Sequence, residues 1–168
     1  MTVEIQNLGN IQEEKSTAQE IAEASMKNPL QEILFEFAYR FRLAILRSTP
    51  TTCRLATVQD FPRGACRDAS LLLAKYLQVN NCGSSFFVLG ERQGQNHAWL
   101  QLQEFIIDIT ADQFADQDAA VIVSSDSSWH SSFNGKIHNV ADFCLYDSHS
   151  AFQLTRAYKA IARVSARS

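Results

Sequence analysis

The chain has 168 residues and a mass of 18.9 kDa, with 15 Lys+Arg against 18 Asp+Glu and a net charge of −3. That length can bury roughly two thirds of the unfolded surface, so a globular domain needs no metal or disulfide staples. The acidic balance offers no basic stripe for nucleic acid, and apolar runs such as Leu71 to Ala74 and Ala119 to Val123 are far shorter than the ~20 residues of a membrane span.

Residues 1–27 carry Gln, Glu, Ser and Thr among scattered Ile and Leu, without the basic start and apolar stretch of a secretory signal. They read as a mobile or weakly helical tail ahead of a single domain over 28–168. The expected location is cytoplasmic, or exported by a route without a cleaved signal peptide. A first helix opens at Asn28-Pro29, where Asn caps and Pro fits the first turn, and runs to about Arg47. Leu30, Ile33, Leu34, Phe37, Phe41, Ala44 and Ile45 fall at helical spacing along it.

Ser48-Thr49-Pro50 breaks that helix, and a polar loop through Gln59, Asp60 and Pro62 leads to a second helix starting near Cys66. Its Ala69, Leu72, Leu73 and Tyr76 repeat at three and four, and it ends before Asn80. Strand texture follows at 85–89, 97–103, 105–110 and 120–124, with mostly sequential, antiparallel pairing expected. The Ser-rich stretch 124–135 reads as a surface loop, 143–146 as a further strand, and 150–164 as a last helix with a basic face.

Four cysteines stand at 53, 66, 82 and 144 with no CxxC pair, which argues against a zinc ribbon or disulfide scaffold and suits a reducing compartment. Of these, Cys66 lies in Pro62-Arg63-Gly64-Ala65-Cys66-Arg67-Asp68, where loop becomes helix. Unpaired N–H groups and the positive end of the helix dipole favour thiolate there, and Gly64 lets a substrate backbone approach. The bland alternative is a small buried apolar residue.

His97 opens the strand His-Ala-Trp-Leu-Gln-Leu-Gln, in which alternation puts His97, Trp99 and Gln101 on one face and Ala98, Leu100 and Leu102 on the other. Asp108 interrupts the apolar Phe-Ile-Ile-Asp-Ile-Thr, where an unpartnered acid is costly. If Gln103-Glu104 is a two-residue turn, Leu102 pairs with Phe105 and Trp99 with Asp108, leaving His97 and Asp108 as diagonal neighbours on one face. A three-residue turn sends Asp108 to the other face. Asp112 has the same parity and is the competing orienter.

A Cys at a helix start with a His and an Asp on adjacent strands is the nucleophile, base and orienter set of covalent cysteine catalysis. The stretches Gly64-Ala65-Cys66, His97-Ala98-Trp99 and Ile107-Asp108-Ile109-Thr110 resemble the transglutaminase-like branch of the papain-like superfamily, over about residues 59–124. The chain is closest in size to small bacterial members, including glutamine-deamidating effectors and papain-fold toxin domains. Arg63-Gly64-Ala65-Cys66 also resembles arylamine N-acetyltransferases, without their doubled glycine or longer chain.

The resemblance implies an α+β fold with a papain-like core, its N-terminal helices packed on a small antiparallel sheet. It also implies catalysis by Cys66, His97 and Asp108 through a thioester, as a protein glutamine deamidase, peptidase or transglutaminase acting on a protein or peptide. Gln59 is the expected side-chain donor to the oxyanion beside the Cys66 N–H, and Trp99 the shield of the His–Asp pair. No cofactor and no metal are expected, although Cys, His and Asp can bind zinc. The competing readings are a noncatalytic binding module on a degenerate papain-like scaffold and an interaction protein using its basic last helix.

Overall fold

The computed structural model describes residues 28–51, 53 and 55–166, and the expected tail over 1–27 lies outside them. The chain divides into two compact units, Met1–Glu32 and Ile33–Ser168. The described part of the first unit begins helix α1 (Pro29–Leu46), where Asn28 Oδ1 accepts from the Leu30 N–H at 3.0 Å. This is the cap that its sequence predicts.

In the second unit, α1 buries Leu34, Ala38, Phe41, Ala44 and Ile45 along one stripe. Each large apolar side chain there contributes about 1.5–3 kcal/mol. The loop that follows contains a short helix, α2 (Ala56–Gln59), anchored by buried Val58. Helix α3 (Cys66–Val79) buries Ala69, Leu71, Leu72, Leu73, Ala74 and Leu77, a stripe wide enough to be covered on most sides.

Five strands form one sheet: β1 (Phe86–Arg92), β2 (Gln95–Leu102), β3 (Phe105–Asp108), β4 (Ile122–Ser124) and β5 (Lys136–Val140). Their spatial order is β4-β3-β2-β1-β5, with every neighbouring pair antiparallel. The architecture is α+β. Leu102 pairs with Phe105, Gln101 with Ile106 and Leu100 with Ile107 across a two-residue turn at Gln103-Glu104, which is the register that keeps His97 and Asp108 on one face. Helix α3 packs on β2. Strand β2 is buried on both faces: Ala98, Leu100 and Leu102 on one, His97 and Trp99 on the other.

Three local expectations are corrected. Residues 143–146 do not form a strand. Phe143–Leu145 is a 3-10 turn capped by the Asp142 carboxylate, which accepts from the Cys144 N–H. The stretch 124–135 is not merely a surface loop, because it contains a short helix, α4 (Ser128–Ser131), and buries His130 and Phe133. The fifth strand is instead β5, whose Lys136, Ile137 and His138 are exposed at the sheet edge. Its residues therefore lack the alternation that marks a half-buried strand.

The last helix, α5 (Ser148–Ser165), is capped by Asp147, which accepts from the His149 and Ser150 N–H groups. It buries Leu154, Ala157 and Ile161, and it meets α3 through Tyr76 Oη and Ser165 Oγ at 2.8 Å. Among the described residues no helix is long and apolar enough to cross a membrane.

Candidate active site

Two docking contacts fix the nucleophile candidate. Gly64 adopts φ 65°, a left-handed turn that a side chain resists, and delivers the chain through Ala65 to Cys66 at the head of α3. Thr57 Oγ1 donates to Asp68 Oδ2 at 2.5 Å, holding α2 to the first turn of α3. One turn after Cys66, the buried Ser70 hydroxyl donates to the Ala98 carbonyl at 3.3 Å, beside His97. The helix start is thereby seated against β2, and the half-buried Cys66 lies within hydrogen-bonding range of the His97 imidazole.

The other ring nitrogen belongs to Asp108. His97 Nε2 donates to Asp108 Oδ2 at 2.6 Å, with both side chains fully buried. Nδ1 is the ring nitrogen that Asp108 leaves unoccupied. The register of β2 and β3 explains this meeting, since the tight turn keeps both residues on one face of the sheet. Asp108, not Asp112, is the carboxylate at the imidazole. Asp112 is instead gripped from α1 by Arg42, at 3.0 and 2.6 Å, and the same guanidinium donates to the Ile109 carbonyl.

His130 is the partner that sequence reasoning missed. Its Nε2 donates to the same Asp108 Oδ2 at 3.0 Å, while Asp108 Oδ1 accepts from the Thr110 N–H at 2.8 Å and the Thr110 hydroxyl at 3.1 Å. Burial opposes charge on Asp108, but the His130 and His97 hydrogen bonds overcome it and hold the carboxyl well below the usual range. Burial likewise opposes charge on His97. The hydrogen bonds to Asp108 and then Cys66 outweigh it, lifting the imidazole from 6.5 to about 9.

Aromatic rings wall this pair. The His97 ring lies 4.9 Å from Phe114, 5.2 Å from Phe133, 5.6 Å from Trp99 and 5.8 Å from Trp129. Trp99 is buried, and its ring also lies 5.0 Å from His130. Arg92 caps the wall 4.2 Å above Phe133 and forms a two-pronged ion pair with Asp116, which also accepts from Trp129 Nε1. Gly90 sits opposite His97 on β1, and a Cβ there would lie 2.7 Å from the Phe133 carbonyl oxygen. Close approach of α4's exit to the sheet therefore requires glycine.

Gln59, the expected oxyanion donor, is exposed at the end of α2. It lines a cavity of about 120 Å³ with Ile45, Ser48, Cys53, Val58 and Phe61, and this lining includes none of Cys66, His97 and Asp108. The glutamine near the imidazole is Gln113, in the 3-10 turn Ala111–Gln113. Its Nε2 lies 3.4 Å from His97 Nδ1 and its Oε1 accepts from the Gly64 N–H at 3.3 Å. No spacing rule could have found it, because the turn after β3 brings it back toward the loop before α3. For His130, the Trp-His-x-x-Phe spacing inside a Ser-rich stretch was the available signal.

His97, Asp108 and His130 each offer a ligand atom, all within 4.8 Å of one another, so the three residues could also hold a metal ion. Their present contacts are hydrogen bonds converging on one carboxylate oxygen. No protein-family model, curated protein or solved structure matches the chain.

Proposed function

We propose that this protein is a cysteine-dependent amide hydrolase or acyl transferase of the papain-like, transglutaminase-like kind, with Cys66 as nucleophile, His97 as acid and base, and Asp108 as orienter. One observation carries the reading. The His97 ring is held at Nε2 by a buried carboxylate at 2.6 Å, and Cys66 at the head of α3 is near enough to favour the protonated ring. A cation beside a sulfur at a helix start is the setting in which cysteines act as nucleophiles.

The Cys66 sulfur attacks the carbonyl carbon of an amide in a protein or peptide, and the tetrahedral oxyanion meets the Cys66 N–H. Ala65 caps α3 with no side-chain hydrogen bond, so its side chain does not occupy the helix's first N–H groups. The C–N bond then breaks as His97 gives its Nδ1 proton to the departing nitrogen, leaving a thioester on Cys66. Water, or an acceptor amine, attacks the thioester carbonyl while His97 takes its proton; the C–S bond then breaks, releasing the acid or transferred amide and restoring the Cys66 thiolate beside protonated His97. Trp99 and its ring neighbours keep bulk water from the His97–Asp108 pair. A nucleophile of this kind works in a reducing compartment such as the cytoplasm, and all four cysteines are free.

Iodoacetamide at pH 6 with adduct mapping tests the proposal. Selective labelling of Cys66 over Cys53, Cys82 and Cys144, lost in His97→Ala, is the expected result. Equal, slow labelling of all four would refute it and leave a noncatalytic scaffold. The metal cluster favours one rival reading, a zinc-dependent site. Stoichiometric zinc that is retained through purification and lost in His130→Ala would replace the cysteine mechanism.

A further inference from the structure

We infer that Gln113 is a positioning residue that acts through His97, offering its amide N–H to Nδ1 only when that nitrogen is bare and so easing proton delivery to the leaving amine. The inference rests on the triad reading above. Two contacts decide which end of the Gln113 amide is which. The Thr110 carbonyl, 2.9 Å from Nε2, needs a donor, and the Gly64 N–H, 3.3 Å from Oε1, needs an acceptor. The nitrogen end is therefore the one that lies 3.4 Å from His97 Nδ1.

Because Asp108 occupies Nε2, Nδ1 is the nitrogen that trades a proton with Cys66 and with the leaving group. While Nδ1 carries its proton, two donors face each other and no bond forms. Once that proton has gone to the departing nitrogen, Nδ1 becomes an acceptor and the Gln113 N–H bonds to it. An interaction made only with the deprotonated ring strengthens the imidazolium as an acid. The charged and titratable groups around the ring come from four elements. Asp108 on β3 meets Nε2, Cys66 on α3 meets Nδ1, His130 on α4 shares the Asp108 oxygen, and Arg92 on β1 lies beyond Phe133, paired with Asp116. Arg42 and Asp112 pair beside the same 3-10 turn. Gln113 is the neutral donor in this set.

The test follows the His97 ring signals by NMR across pH in the full chain, for wild type, Gln113→Met and Gln113→Glu, alongside Cys66 alkylation. Met keeps the side chain's length and removes the donor, so the His97 midpoint should rise by about half a pH unit to one unit. Glu keeps an acceptor for the Gly64 N–H and sets a carboxylate at Nδ1, and the midpoint should rise further. If Gln113 only braces the Gly64 turn, Gln113→Met leaves the midpoint at its wild-type position, and that result overturns the inference. Should the Met variant not fold, an unmoved midpoint in Gln113→Glu overturns it equally. Failure of the triad reading looks different, because wild-type Cys66 then shows no selective alkylation.

Discussion

Replacing Asp108 with Asn should cost stability in a pH-dependent way. The carboxylate accepts four hydrogen bonds, two at Oδ2 from His97 and His130 and two at Oδ1 from Thr110. An amide satisfies only one side: with its oxygen toward the histidines, its NH2 confronts the Thr110 N–H, and flipped it confronts both imidazoles. That mismatch costs about 1–3 kcal/mol at any pH. Lifting His97 from 6.5 to about 9 adds a further ionic part, worth roughly 3 kcal/mol in all, with Asp108 the larger contributor ahead of Cys66.

The sign follows from each direction. His97 is raised, so its contribution is complete below the unfolded value near 6.5 and disappears as pH rises through about 9. Asp108 is lowered, so its contribution is complete above the unfolded carboxyl range and fades in acid. These are two views of one interaction and count once. Urea unfolding followed by tryptophan fluorescence should show the wild type more stable than Asp108→Asn by about 3–5 kcal/mol at pH 5.5, narrowing to about 1–3 kcal/mol near pH 10. A difference that is flat across this range, or that stays under about 0.5 kcal/mol, would refute the charged-pair reasoning.

Gly90→Ala should lose about 1–3 kcal/mol in the same assay, because its Cβ meets the Phe133 carbonyl at 2.7 Å and the Phe133 Cβ at 2.8 Å; wild-type stability would show that α4 can move away. Arg42→Met leaves Asp112 and the Ile109 carbonyl without their shared donor and should cost about 2–4 kcal/mol by chemical denaturation. Cys66 alkylation should slow in that variant, since those two anchors hold Thr110 and the start of the turn that carries Gln113, and an unchanged rate would contradict this. His130→Phe retains the ring stacking but deletes one donor to Asp108, and should cost about 2 kcal/mol with the His97 signals still in the folded spectrum.

Much of the site was legible because its logic is local. Helical periodicity placed α1, α3 and α5, the Gly64-Ala65-Cys66 turn marked a helix start, and period-two alternation with a two-residue turn was enough to bring His97 and Asp108 to one face. What local pattern cannot carry is a meeting between distant segments. His130 and Gln113 reach Asp108 and His97 only after a Ser-rich stretch folds over the sheet and a 3-10 turn bends back to Gly64; His130 left only the Trp-His-x-x-Phe spacing as a trace, and Gln113 left none. The choice between Asp108 and Asp112, equal in parity, was made by Arg42 arriving from α1. The sequence by itself determined the α+β class, the place of Cys66 at a helix start and the His–Asp register, since each depends on neighbours along the chain. Only the tertiary structure decided the second histidine, the glutamine at Nδ1 and the aromatic wall, since buried polar groups take whichever partners packing brings within hydrogen-bond reach.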